Sequence, residues 1–244
     1  MSAEPSGVEV ERRPRRSADQ LRAVVRRAAP RLAAATAAQV AGWAAQEFGG
    51  SLAVACSMAD AVLPHLVSRA APGVDVLFLD TGYHFSETVR TRRGVERLLP
   101  VHVVDVLPAL SVAEQDERYG AELFARDPAA CCRMRKMEPL AARLAGYEAW
   151  VTGVRRDEAP SRAETPLVTW DDAHGLVKIN PLARWTFQDL LAYAAEHSVA
   201  LNPLLDQGYP SIGCEPCTHR VAPGHDPRSG RWAGLAKTEC GIHA

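Results

Sequence analysis

Short, continuous apolar runs alternate with amphipathic stretches through the first two thirds of the chain. Leu52-Ala-Val-Ala-Cys56, Val74-Asp-Val-Leu-Phe-Leu79, Val101-His-Val-Val-Asp-Val106 and Ala149-Trp-Val-Thr152 read as strands. Between them, stretches near residues 59–70, 86–98, 111–124 and 133–145 repeat apolar positions at helical spacing. Short apolar strands separated by helices need crossover connections, so the pattern predicts an α/β fold with a mostly parallel sheet. In such sheets ligands bind beyond the carboxyl ends of the strands. Cys56-Ser57 and Asp80-Thr81-Gly82 fall at that edge.

The flanks are less regular. Residues 1–16 read as a disordered arm, after which Ser17 is placed to cap a helix. An Ala-rich helix is predicted from about Pro30 to Gly49-Gly50. Beyond Pro166 a strand over Leu176–Asn180 and a helix over 186–197, capped by Thr186, are expected. From Asn202 onward Gly and Pro are frequent and a loop-rich tail follows.

Composition narrows the class. The chain has 244 residues and is 47% hydrophobic, enough for one sizeable core. A net charge of -1 points to neither nucleic acid nor an anionic membrane. No apolar run reaches the roughly 18–20 residues that span a bilayer. The start carries Arg12, Arg13, Arg15 and Arg16 but also Glu4, Glu9, Glu11 and Asp19, unlike a secretory or organelle leader. A cytoplasmic enzyme is the expectation.

Six cysteines then become informative. In a cytoplasmic enzyme, clustered cysteines more often bind metal or do chemistry than form disulfides. Cys214-Glu-Pro-Cys217 is a C-x-x-C on a loop, and alone it fits zinc, an iron–sulfur cluster or a redox disulfide. Cys131-Cys132 is sharper. Adjacent thiols leave the backbone in different directions, which strains a tetrahedral ion but suits a cubane that takes each on a different iron. The pair is also predicted to begin a helix, where the dipole and Arg133, Arg135 and Lys136 favour thiolates. The four residues therefore read as ligands of an iron–sulfur cluster, with a zinc staple as the alternative. Cys56 ends a strand and reads as a small buried hydrophobe. Cys240 lies in Lys237-Thr-Glu-Cys-Gly-Ile-His243, where flanking cations favour a thiolate and Gly241 allows close backbone approach. It reads as a mobile nucleophile, against the plainer reading of an incidental surface thiol.

Arginines punctuate the expected loops at Arg155-Arg156, Arg162 and Arg228-Ser-Gly-Arg231. At strand ends and beside a candidate nucleophile, such clusters suit phosphate or sulfate, which guanidinium binds bidentately. Cys56-Ser-Met-Ala-Asp60 lies between a strand and a helix, a usual place for a phosphate-binding turn, but it contains no glycine. Asp80 is either a functional carboxylate or a cap for the turn with Thr81 and Gly82.

Leu79-Asp-Thr-Gly-Tyr-His84, Cys131-Cys-Arg-Met-Arg-Lys-Met-Glu-Pro-Leu140, Thr152-Gly-Val-Arg-Arg156 and Gly230-Arg-Trp-Ala-Gly-Leu-Ala-Lys-Thr-Glu-Cys-Gly-Ile-His243 together resemble the PAPS/APS reductase family. Within it they resemble the assimilatory adenosine 5′-phosphosulfate (APS) reductases, from about residue 50 to the C-terminus. The resemblance implies a Rossmann-like adenine-nucleotide hydrolase (PP-loop) fold and a 4Fe-4S cluster on Cys131, Cys132, Cys214 and Cys217. It implies that Cys240 attacks the sulfur of APS and expels AMP, and that thioredoxin or a similar dithiol then releases sulfite. It further implies that Lys136 links cluster and substrate electrostatically, that Arg228, Arg231 and His243 hold the phosphosulfate, and that Ser57 and the backbone near Leu79 hold the nucleotide. On this reading residues 17–200 form the nucleotide-binding reductase domain and 201–244 the cluster-binding loop and catalytic tail. One departure stands out. The family's phosphate loop commonly reads Ser-x-Gly-x-x-Asp, whereas here Ser57-Met-Ala-Asp60 is shorter and lacks the glycine.

The nearest rival is a 3′-phospho-APS (PAPS) reductase, which usually lacks the two cysteine pairs. A PP-loop enzyme acting on RNA would carry a Ser-Gly-Gly-x-Asp-Ser loop and a basic extension, and neither is present. A zinc-binding interaction module would leave Cys240 unexplained. No membrane or nucleic-acid partner is expected, and a homo-oligomer is allowed for.

Overall fold

The computed structural model describes residues 15–234, 237 and 239–242. Among these, six strands form one sheet in the order β3-β2-β1-β4-β6-β5. In chain order they are β1 (Leu52–Ala55), β2 (Val74–Leu79), β3 (Val101–Val106), β4 (Ala149–Thr152), β5 (Val168–Asp171) and β6 (Leu176–Ile179). All neighbours run parallel except the edge strand β5, which pairs antiparallel with β6 from Val168↔Ile179 to Asp171↔Leu176.

The period of two along each strand divides the interior into two cores. Leu52 and Val54 of β1, with Val76, Val151 and Val177, face one core built with the helices α1 (Ala18–Leu32), α2 (Ala37–Phe48), α3 (Val62–Ser68) and α9 (Phe187–Glu196). The alternate residues Ala53, Leu77, Trp150 and Leu176 face the other, packed against Leu140 and Leu144 of α8 (Glu138–Leu144). Helices thus cover both faces, as a sheet buried on both sides requires. Between them in sequence lie α4 (Ser86–Leu98), α5 (Val112–Tyr119), α6 (Leu123–Arg126) and α7 (Pro128–Cys132). No helix among the described residues is long and apolar enough to cross a membrane.

Local signals hold where capping chemistry is clear. Ser17, Thr36, Ser111 and Thr186 each form a reciprocal capping box with the residue three positions on. Three sequence expectations are corrected. The Ala-rich helix starts at Ala37 rather than near Pro30, because Thr36 and Gln39 supply the cap while Pro30 lies inside α1. The stretch 111–124 is split, since Gly120 takes a φ of 81° and ends α5. The cysteine pair does not begin its helix: Asp127 caps the Ala130 N–H, Pro128 occupies the first turn, and Cys131 and Cys132 follow. A π-helical turn over Arg133–Met137 then joins α7 to α8.

Residues 1–14 of the expected arm lie outside the described residues. Arg16, its last position, is held by Glu47 and Glu148.

Candidate functional site

A cavity of about 300 Å³ lies where the carboxyl ends of β1, β2 and β4 meet. The placement follows from topology, because β1 is followed by strands on either side of it and the loops leaving its end and its neighbours' ends diverge. Cys56 and Ser57 enter from β1, Leu79 and Thr81 from β2, and Thr152 to Arg155 from β4. Lys136 comes from the π-helical turn, while Arg228, Arg231, Trp232, Glu239 and Cys240 come from the tail.

The loop after β1 manages its tight turn without glycine. Met58 adopts a left-handed φ of 59° with its side chain fully buried, a conformation that strains a non-glycine residue. Cys56 closes the turn: its Sγ accepts from the Met58 N–H at 3.4 Å and lies 3.6 Å from the Asp60 carbonyl. Burial and the Asp60 carboxylate push this thiol up to about 12, so it stays neutral. The Asp60 carboxyl is itself raised by burial, although it accepts the Val62 N–H at 2.8 Å. Asp80 fills the capping role left open by the sequence, accepting the Gly82 N–H at 3.0 Å.

The rim is ionic but interleaved rather than uniformly basic. Arg155 pairs with Asp157 at 3.1 Å, and Arg162 pairs with Glu158 and Glu239. Arg228 also reaches Glu239, at 3.0 Å. Arg156 leaves this group and donates to the Thr165 carbonyl instead. Arg231 is disposed differently: its guanidinium stacks over the Trp232 ring at 4.6 Å, and its buried Nε has no hydrogen-bond partner among the described residues. Gly213 makes that placement feasible, because a Cβ there would overlap the Arg231 guanidinium.

A second, smaller cavity shares a wall with the first. It is lined by Cys131, Cys132, Cys214 and Cys217 together with Tyr83, Phe124, Pro128 and Arg135. Thr81, Lys136, Cys214 and Trp232 face both cavities. The two cysteine pairs, more than eighty positions apart in sequence, are therefore brought to one space. Arg135 fixes the loop between them by donating to the Thr81 carbonyl at 2.5 Å and to Gln115 at 3.0 Å. The tail is clipped onto the C-x-x-C loop by a Thr218↔Arg231 bridge and by the Trp232 N–H to the Cys217 carbonyl at 3.0 Å. Among the described residues, no group of three or more His, Cys, Asp or Glu side chains has the arrangement of a single-ion site.

Electrostatics couple the two cavities through Lys136. Burial opposes its charge, but Cys214 and Cys240 outweigh it and hold the ammonium above its ordinary pKa. Burial likewise opposes the Cys214 thiolate, yet Lys136 and the Thr81 hydroxyl, 3.3 Å from Sγ, bring that thiol below its usual value. Burial and then repulsion from neighbouring sulfurs raise Cys131 to about 12 and Cys217 to about 11, while burial raises Cys132 against the opposing charges of Lys136 and Lys237.

Of the residues singled out in the sequence, Ser57, Leu79, Lys136, Arg155, Arg162, Arg228, Arg231 and Cys240 all line the larger cavity. His243 lies outside the described residues. The sequence placed Thr81 at the ligand edge without a role of its own, and assigned no role to Glu239 or Trp232. Glu239 and Trp232 sit inside the quoted tail motif, so their proximity to Cys240 was visible although their contacts were not.

Residues 51–220 match the phosphoadenosine phosphosulfate reductase domain. An adenosine 5′-phosphosulfate reductase of Mycolicibacterium smegmatis is 57% identical over 92% of this chain and 95% of its own length. One from Streptomyces coelicolor is 54% identical over 93% of this chain and 97% of its own. Among solved structures, a phosphoadenylyl-sulfate reductase from Candida auris, in a phosphate complex, superposes with a TM-score of 0.68. It is 27% identical and covers 81% of this chain and 96% of its own.

Proposed function

Since this chain belongs to the phosphoadenosine phosphosulfate reductase domain family, with the Rossmann-like PP-loop fold, we propose that it reduces APS to sulfite and AMP in sulfate assimilation. The observation that carries the reading is the joining of the two cavities. Cys240 faces a pocket at the nucleotide edge of the sheet, and that pocket shares Lys136 and Trp232 with the four-cysteine cavity. Relatives more than half identical over nearly the whole chain bear the APS reductase name, which favours APS over PAPS.

The nucleotide lies against Ser57 and the backbone near Leu79. Lys136 and Arg231 meet the phosphosulfate, with Arg155, Arg162 and Arg228 and their paired carboxylates forming the ionic rim. The Cys240 thiolate attacks the sulfur in line with the bond to AMP. A bond forms between Sγ and sulfur, the sulfur–oxygen bond breaks, and AMP departs with the electron pair, leaving an S-sulfocysteine. A dithiol of thioredoxin type then attacks Cys240 Sγ, and sulfite leaves with the electron pair of the broken bond. Its second thiolate resolves the mixed disulfide and regenerates Cys240. The donor is oxidised by two electrons and sulfur is reduced by two. The other five thiols stand away from this role: Cys56 closes the first loop, and four face the second cavity. An external donor is therefore required. The six unbridged cysteines suit a reducing cytoplasm.

Cys131, Cys132, Cys214 and Cys217 fit a 4Fe-4S cluster by donor type, number and shared cavity. A cluster held there would anchor this wall through its four thiolates and set their negative charge against Lys136, without supplying electrons to the reaction.

A sulfite assay with a dithiol donor tests the reading, APS being expected to outperform PAPS by a wide margin. The reverse preference would reassign the substrate. Gly213→Ala displaces Arg231 and should raise KM for APS about tenfold, the loss of roughly one charge-assisted hydrogen bond. Its kcat should change less, as initial rates over a range of APS concentrations will show.

A further inference from the structure

Glu239 directly precedes Cys240, and its carboxylate is gripped rather than solvated. Arg162 meets it with two parallel hydrogen bonds, Nε to Oε1 at 3.0 Å and Nη2 to Oε2 at 2.9 Å. Arg228 Nη2 adds a third to Oε2 at 3.0 Å, and Ser161 Oγ lies 3.5 Å from Oε1. This fork geometry is the one guanidinium uses to fix a carboxylate in direction as well as distance. Arg162 and Arg228 come from segments more than sixty residues apart, one after β4 and one within the tail. Their side chains are largely buried, 12% and 14% exposed, so the pairing is shielded from solvent in a way surface ion pairs are not.

The grip has a direct geometric consequence. Residue 239 cannot be held at this point without fixing residue 240 beside it at the wall of the cavity, where Cys240 lies. Resting on the reductase reading, we propose that Glu239 is a positioning residue, whose carboxylate clasps Arg162 and Arg228 to seat Cys240 against the substrate cavity. The clasp opens when Cys240 is passed to the dithiol, since a folded donor cannot enter a cavity of about 300 Å³.

Glu239→Gln and Arg162→Gln separate a clasp from a local charge effect. The first removes an anion beside the thiol and the second a cation, so simple electrostatics would move Cys240 reactivity in opposite directions. A clasp requires both to move it the same way. In the full-length protein, alkylation of Cys240 by iodoacetamide, followed by peptide mass mapping, should accelerate about tenfold in both variants. The double variant should be no faster than the faster single, because one interaction is lost in all three. Alkylation of Cys56 reports on the fold and should be unchanged. In the sulfite assay Glu239→Gln should lower kcat about tenfold, with KM held within about twofold. Opposite shifts in the two variants, or an unchanged alkylation rate, overturn the clasp. So does a rise in KM at constant kcat. If the unaltered protein makes no sulfite from APS, the reductase reading fails while the alkylation comparison still decides the clasp.

Discussion

Replacing Cys240 with serine is expected to lower sulfite formation by a factor on the order of 10⁴ or more, as removal of a sole nucleophile does. Serine keeps the shape but loses the polarizable, readily ionised sulfur that attacks the electrophile. AMP binding should persist, because Ser57, Leu79 and Arg231 are untouched and lie on other parts of the cavity wall. The second cavity should persist too, since Cys240 does not line it. Measuring sulfite release and AMP affinity on the same preparation separates these effects. Substantial activity in Cys240→Ser would move the chemistry to another residue.

Replacing Cys132 or Cys214 with serine should act through the other cavity. Both are buried, and both face the space that the two cysteine pairs share. A metal centre that forms only in the folded chain adds its binding free energy to folding. Losing a few kcal/mol in a chain of this size lowers Tm by roughly 5–10 °C. Each variant should lose the broad absorbance near 400 nm characteristic of iron–sulfur centres, lose iron and sulfide, melt earlier and lose activity. Cys214 carries the further effect that its thiol touches Thr81 and is coupled to Lys136, so its loss also disturbs the substrate cavity. Zinc in place of iron and sulfide in the unaltered protein would instead establish a zinc staple.

The sequence made the central sheet legible because four of its five parallel strands, β1 to β4, are apolar runs bounded by clear breaks. β5 was missed for a physical reason. It is a four-residue edge strand in which only Val168 is buried, so no apolar run announces it. It is secured instead by pairing with β6 and by Trp150 Nε1, which donates to Asp171 at 3.0 Å. Pro30 misled in the opposite way. Proline is a common first residue of helices, yet here it sits near the end of α1.

The site was legible in chemistry more than in geometry. Cysteine spacing and the tail motif pointed to the residues that line the two cavities, and the sheet edge gave their location. The start of the cysteine helix was misplaced, although Asp127-Pro128 carried the usual signal of a cap followed by a first-turn proline. The absent glycine of the first loop turned out to alter strain rather than course, with Met58 taking the left-handed conformation that glycine would adopt freely. Pairings such as Glu239 with Arg162 and Arg228 depend on how the tail meets the segment after β4, which no local pattern encodes.

The most direct measurement incubates the protein with APS in the absence of any dithiol and maps the cysteine peptides by mass. The account predicts stoichiometric release of AMP and an added SO₃ group on the Cys240 peptide alone, removed with release of sulfite when a dithiol is supplied. AMP release without that adduct, or an adduct on any other cysteine, would contradict it.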